Sequence, residues 1–138
     1  MGEAAPRRRR GARGLGVGVV EPADTETWEY PDSLDALLAA PESHRVLFEN
    51  DDVRVLETRI GPGETVPLHT HRWPSVLYVL ATAHHVRHDD KGGVISDTRT
   101  ADAPPEPGTT MWLSARPPHT VENVDHSEIR LLNVELKH

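Results

Sequence analysis

The chain has 138 residues, a formal charge of -7 and no cysteine. That length suits one domain with one hydrophobic core, and the absence of thiols excludes a disulfide framework and any thiolate-held metal. No run approaches the roughly 20 apolar residues that span a bilayer, and the start of the chain lacks the cleavage site of a secretory signal, so a cytoplasmic protein without a membrane partner is expected.

The charge is unevenly placed. Residues 1–13 hold five arginines against Glu3, a net +4, which leaves -11 for the rest of the chain. An acidic body argues against a nucleic-acid surface. Residues 1–26, with "RRRRGAR" and few large apolar side chains, are expected to form a disordered, solvated extension. Residues 27–138 are then the single folded domain.

"PDSLDALLAAP" (31–41) predicts one short helix. Asp32 or Ser33 caps it, Leu34, Leu37 and Leu38 share a face, and Pro41 stops it. From Arg45 the pattern changes to period two. "VRVLETRI" (53–60) sets Val53, Val55, Glu57 and Arg59 on one face and Arg54, Leu56, Thr58 and Ile60 on the other. Strand-like runs follow at 75–81, 84–88, 93–96, 109–114, 119–124 and 129–136, separated by "GPG", "DDKGG", "ADAPPEPG", "RPP" and "VDHSE". Many short strands with turns and no helix between them imply an all-β barrel or sandwich.

In "GETVPLHTH" (63–71), His69 and His71 are one residue apart, so a strand puts both imidazoles on one face. Some 50 residues later "GTTMWLSARPPHTVEN" (108–123) brings His119 after a proline turn. Three neutral imidazoles suffice for a mononuclear site with open positions. Of the other histidines, His44, His126 and His138 are expected on the surface, and His84, His85 and His88 in solvated or packing roles. Trp73, Tyr78 and Trp112 are candidates for lining a pocket or filling the core.

These two stretches resemble the paired motifs of the cupin superfamily: a glycine, five residues and H-x-H, then a second glycine, a histidine and, after three intervening residues, an asparagine. The resemblance extends over about residues 45–136. It implies a jelly-roll β-barrel of two facing sheets, often a homodimer, with a metal at the open end; the short helix at 31–41 precedes that barrel. His69, His71 and His119 are the implied ligands of one divalent transition metal: iron, manganese, nickel or zinc.

The sequence also departs from the family pattern. The glutamate that follows H-x-H is replaced by Ser75 and Val76, and the proline and glycine of the second motif by Ser114 and Arg116. Pro117 and Pro118 stiffen that turn instead. Without the glutamate, three neutral imidazoles leave the full charge of a divalent ion uncompensated, which favours an anionic, chelating ligand. Tyr78, Arg116 and Trp73 are the expected substrate-binding residues, and Glu57 and Arg59 are further candidates for orienting substrate or moving a proton. The expected activity is that of a metal-dependent enzyme on a small anionic molecule, a dioxygenase, C–C bond hydrolase or isomerase. The alternative is a non-catalytic module that binds a small ligand or a metal.

Overall fold

The period-two pattern is realised, in a computed structural model describing residues 28–138, as nine strands: β1 (His44–Glu49), β2 (Val53–Ile60), β3 (Thr65–His71), β4 (Ser75–Ala81), β5 (His85–Asp89), β6 (Val94–Asp97), β7 (Thr110–Leu113), β8 (Arg116–Asn123) and β9 (Ile129–Leu136). Residues 1–27, and with them the expected N-terminal extension, lie outside the described residues. The strands form two antiparallel sheets of order β1-β2-β9-β4-β7 and β3-β8-β5-β6, the expected jelly roll. Among the described residues no helix is long and apolar enough to cross a membrane.

The single helix expected before β1 is divided. Asp32–Leu34 forms a 3-10 turn, and α1 (Ala36–Ala39) is one helical turn. Asp35 divides them because its backbone is non-helical (ψ 142°) and its carboxylate accepts from the Leu37 N–H at 3.1 Å, so it caps α1 in place of Asp32 or Ser33. The Asp35 carboxylate also takes two bonds from Arg54, at 3.0 and 3.2 Å. The expected leucine face is not the buried one: Ala36 is buried, and Leu38 is exposed.

Strand β2 shows how alternation builds the interior. Arg54, Leu56, Thr58 and Ile60 point inward and are buried. Ile60 packs with Ala40, Val66, Ala83 and Ile129 into a small apolar core, with Val121 and Leu131 against it. Of the eight largest fully buried side chains, five are polar: His69, Glu135, Asn123, Thr70 and Ser75. Buried polar groups on this scale mark one end of the barrel as a site.

Two turn features hold the opposite end of these strands, beside Ile60 and Ile129, in shape. Gly63 has φ 75° and nothing within 4 Å of where a Cβ would stand, so glycine is required there by the left-handed backbone and not by space. Asn123 uses its whole amide structurally: Nδ2 donates to the Ile60 and Ser127 carbonyls at 2.9 and 2.8 Å, and Oδ1 accepts from the Asp125 N–H at 2.9 Å.

The outer face of the five-stranded sheet is apolar. Register places Phe48, Val55, Val134, Val76 and Trp112 side by side across all five strands, with Leu132 and Tyr78 in the adjacent row. Phe48, Val76, Tyr78 and Trp112 are exposed. Glu57 also sits on this face, held by Arg130 and Arg45 at 2.7 Å each and by Arg59 at 3.4 Å. Those arginines, Arg130 first, hold its carboxyl down to about 2.

Candidate metal centre

Four imidazoles meet at the polar end of the barrel. Strand β3 carries His69 and His71, and His69 lies opposite His119 in the β3–β8 register while His71 lies opposite Arg116. His44, the first residue of β1, approaches from the other sheet, where it pairs with Thr58 of β2. Ring centroids stand 5.0 Å apart for His44 and His69, 5.4 Å for His44 and His71, and 5.0 Å for His69 and His71. His44, His69 and His71 each offer a ligand atom within 4.8 Å of the others, so the three could hold one metal ion. His119 lies beside this group, 4.4 Å from His69 and 5.8 Å from His71 between ring centroids.

The expectation that His44 lies on the surface is therefore corrected. It is 6% exposed, with its ring between the Ala40 carbonyl that ends α1 and the rings of His69 and His71. His126 and His138 are exposed, as expected.

Every imidazole of the cluster uses Nδ1 in the same way. With Nδ1 protonated, His69 donates to the Pro67 carbonyl at 2.7 Å, His119 to the Pro117 carbonyl at 2.8 Å, and His44 to the Ala40 carbonyl at 3.0 Å. His71 donates to Glu135 Oε2 at 3.1 Å. This assignment leaves four Nε2 lone pairs free. It is the tautomer a metal ligand needs, oriented by a partner on the other nitrogen. Burial also keeps the rings neutral. It lowers His69 to about 4 and His119 to about 3, pushes His71 well below its ordinary value and lowers His44, with Arg116 and neighbouring histidines adding repulsion. The donor set therefore fits a transition-metal ion.

Glu135 supplies the carboxylate that the sequence lacks at 75 and 76. Ser75 on β4 lies opposite Glu135 on β9, and Arg54 on β2 flanks Glu135 on the other side. Both Ser75 and Glu135 are fully buried. The carboxylate accepts from Arg54 Nε at 2.6 Å and from His71 Nδ1, so it orients an imidazole. Arg54 continues the chain to Asp35, which joins the site to the cap of α1.

The cluster opens into a cavity of about 260 Å³. Ile60, Leu77, Met111, Leu113, Ile129 and Leu131 are among its apolar walls, and its polar groups outside the cluster are Arg116, Arg87, His85 and Asn133 together with the hydroxyls of Thr58, Thr82 and Ser96. Of the expected substrate-binding residues, only Arg116 lines it. Tyr78 faces outward from β4 beside Leu132 and is 40% exposed. Trp73 lies instead under cations, with Arg54 at 5.0 Å, Lys137 at 5.4 Å and Arg72 at 5.7 Å from its ring centre. Trp112, Glu57 and Arg59 belong to the outer face. His84 bonds Thr98 at 2.9 Å.

Sequence reasoning missed His44, Arg87, Asn133 and Glu135. The signal for the last two was available in "IRLLNVEL", where Ile129, Leu131, Asn133 and Glu135 share a strand face that turns from apolar to polar.

No family model matches the sequence, and no curated protein is significantly similar to it. Solved structures do match. A cupin domain from Bordetella pertussis Tohama I is 23% identical, with a TM-score of 0.57 over 69% of this chain and 92% of that one. An RmlC-like cupin family protein with a double-stranded β-helix fold, from Methanocaldococcus jannaschii, is 12% identical, with a TM-score of 0.50 over 69% of this chain and 79% of that one. At these identities the likeness is one of fold.

Proposed function

We propose that this small cupin barrel is a metal-dependent enzyme acting on a small anionic molecule that chelates the metal. One divalent ion, iron, manganese, nickel or zinc, would be held by His44, His69, His71 and His119. The observation that carries this reading is the common bonding of Nδ1, which, with Nδ1 protonated, leaves Nε2 free on four buried imidazoles, three of which, His44, His69 and His71, have ligand atoms within 4.8 Å of one another. Four neutral donors leave two positions of an octahedral ion for a bidentate ligand.

The bound ion would act as a Lewis acid on a chelated oxygen, as oxygenase, C–C hydrolase and isomerase chemistry all require. The chain's own groups do the rest. Arg116, whose Nε and Nη2 lack partners among the described residues, binds the negative charge. Asn133 Oδ1, also unpartnered among the described residues, accepts a hydrogen bond from the ligand. His85 donates Nδ1–H to the Ala83 carbonyl at 3.1 Å, which leaves its Nε2 in the cavity to take or return a proton. The apolar walls exclude water around these groups. A second copy of the chain would cover the apolar outer face.

Elemental analysis of untagged protein purified without chelator tests this reading. One equivalent of transition metal is expected, lost in His69→Ala/His71→Ala and reduced in His44→Ala. No metal in the wild type, even after reconstitution, refutes it. A bound ligand recovered unchanged from metal-loaded protein would make the barrel a binding module.

A further inference from the structure

The cavity holds a pair of positive charges that the histidine cluster does not use. Arg116 stands opposite His71 in the β3–β8 register, and Arg87 on β5 stands opposite Val121, two residues on from His119. Both line the same cavity. Arg116 Nε and Nη2 are buried with no hydrogen-bond partner. Burial pushes Arg116 down to about 10, with further repulsion from Arg87, and burial lowers Arg87 with no anion offsetting it.

The carboxylates nearest this pair are already committed. Glu135 is bound by Arg54 and His71. Asp89, opposite His119 in the β5–β8 register, accepts from the Lys91 and Gly93 N–H groups at 2.9 and 2.8 Å. Asp97 on β6 is paired with Arg99 at 2.9 Å. The other polar lining residues, Thr58, Thr82, Ser96 and Asn133, are neutral, with Ser96 opposite Arg87 in the β5–β6 register, and Leu77, Met111, Leu113 and Leu131 are apolar, so among the described residues the lining adds no anion. Buried cations are normally paired, and a guanidinium matches a carboxylate in two-point geometry. The partner must come from the ligand.

We propose that Arg87 and Arg116 form a carboxylate clamp beside the metal centre, so that the native ligand is a dianion with a short hydrocarbon body. One oxygen-donor end serves the metal and the other end, a carboxylate, serves the clamp. A cavity of about 260 Å³ limits that body to a molecule of on the order of ten non-hydrogen atoms, taking roughly 30 Å³ for each water-sized unit. The two-ended form of the inference rests on the proposed metal site. The clamp itself does not.

The test is calorimetric titration of the zinc-loaded protein with succinate and glutarate, and with their half-amides succinamate and glutaramate as monoanions of the same shape. The diacids are expected to bind at least about tenfold more tightly. Arg87→Gln abolishes that preference while keeping one equivalent of zinc. Equal affinity for diacid and half-amide in wild type, or an unchanged preference in Arg87→Gln, overturns the proposal. Metal-free protein provides the independent arm. Butyrate raises its melting temperature, and Arg87→Gln/Arg116→Gln removes the response; a wild type that ignores butyrate overturns the clamp whatever the metal content. The double variant melts at or above the wild-type temperature without ligand, because it removes a repelling pair of half-buried charges, one of them with Nε and Nη2 buried and unpartnered, which separates lost binding from lost folding.

Discussion

Glu135→Gln replaces a group that accepts at both ends with one that accepts at one. The carboxylate takes Arg54 Nε on Oε1 at 2.6 Å and His71 Nδ1–H on Oε2 at 3.1 Å. Arg54 cannot give up its proton, so the amide oxygen turns to Arg54 and the NH2 turns to His71. His71 must then accept at Nδ1, which moves its proton to Nε2 and removes the lone pair a metal needs. Loss of such an orienting partner lowers metal affinity about 10- to 100-fold, or about 1.4 to 2.7 kcal/mol.

The fold should survive this change. Arg54 keeps an acceptor in the new amide oxygen and both bonds to Asp35, at 3.0 and 3.2 Å, so the metal-free protein loses only about 1–2 kcal/mol. Glu135→Leu leaves that arginine short of an acceptor and costs about 3–5 kcal/mol. Competition with a chelator measures the affinity, and urea unfolding of the metal-free protein measures the stability. The control is His71→Ala: in that background Glu135→Gln should change affinity less than about twofold, since the ring it orients is gone. Unchanged affinity in Glu135→Gln, or the same factor with and without His71, refutes the orienting role.

The lowered histidines give a pH dependence of known sign. They bind protons in the unfolded chain near pH 6.5 but in the fold only near 4 for His69 and 3 for His119, so metal-free stability is full above pH 6.5 and falls as pH drops toward 4. Each imidazole removes up to about 2 kcal/mol between pH 6.5 and 5; urea unfolding at pH 7.5 and 5 should show a smaller drop for His119→Ala than for wild type. Glu57 and Asp97 do not contribute in this window, since both are ionised there in the unfolded chain as in the fold, where arginines hold them down to about 2 and their effect falls below pH 5. X-ray absorption of the loaded protein should count four imidazoles, falling to three in His44→Ala and unchanged in His126→Ala; an unchanged count in His44→Ala would exclude His44. Val134→Glu, at the middle of the five-residue apolar row, should halve the mass seen by light scattering, and a monomeric wild type would sink the dimer. Tyr78→Phe should leave ligand affinity unchanged, because the side chain faces away from the cavity.

What the sequence revealed and what it hid follow from the range of the interactions. Strand β2 was legible residue by residue, since alternation is local: Leu56, Thr58 and Ile60 had to share a side. His69 and His71 were legible for the same reason, being two apart on one strand. The four-imidazole cluster was not, because His44 reaches it by pairing with Thr58 on a different sheet, and no spacing along the chain announces that pairing. The absence of a glutamate at 75 and 76 was read as the absence of a carboxylate, yet Glu135 enters the same layer one strand away. A strand position can be emptied and its charge supplied by the neighbouring strand, where the group reaches the ring edge of His71 and not the space in front of it. The consequence is chemical. A carboxylate ligand would lower the charge of a bound ion itself, whereas one on Nδ1 would raise the donor strength of an imidazole and leave the ion's positive charge to the ligand. An anionic ligand drawn to such an ion would also meet Arg87 and Arg116, which line the same cavity.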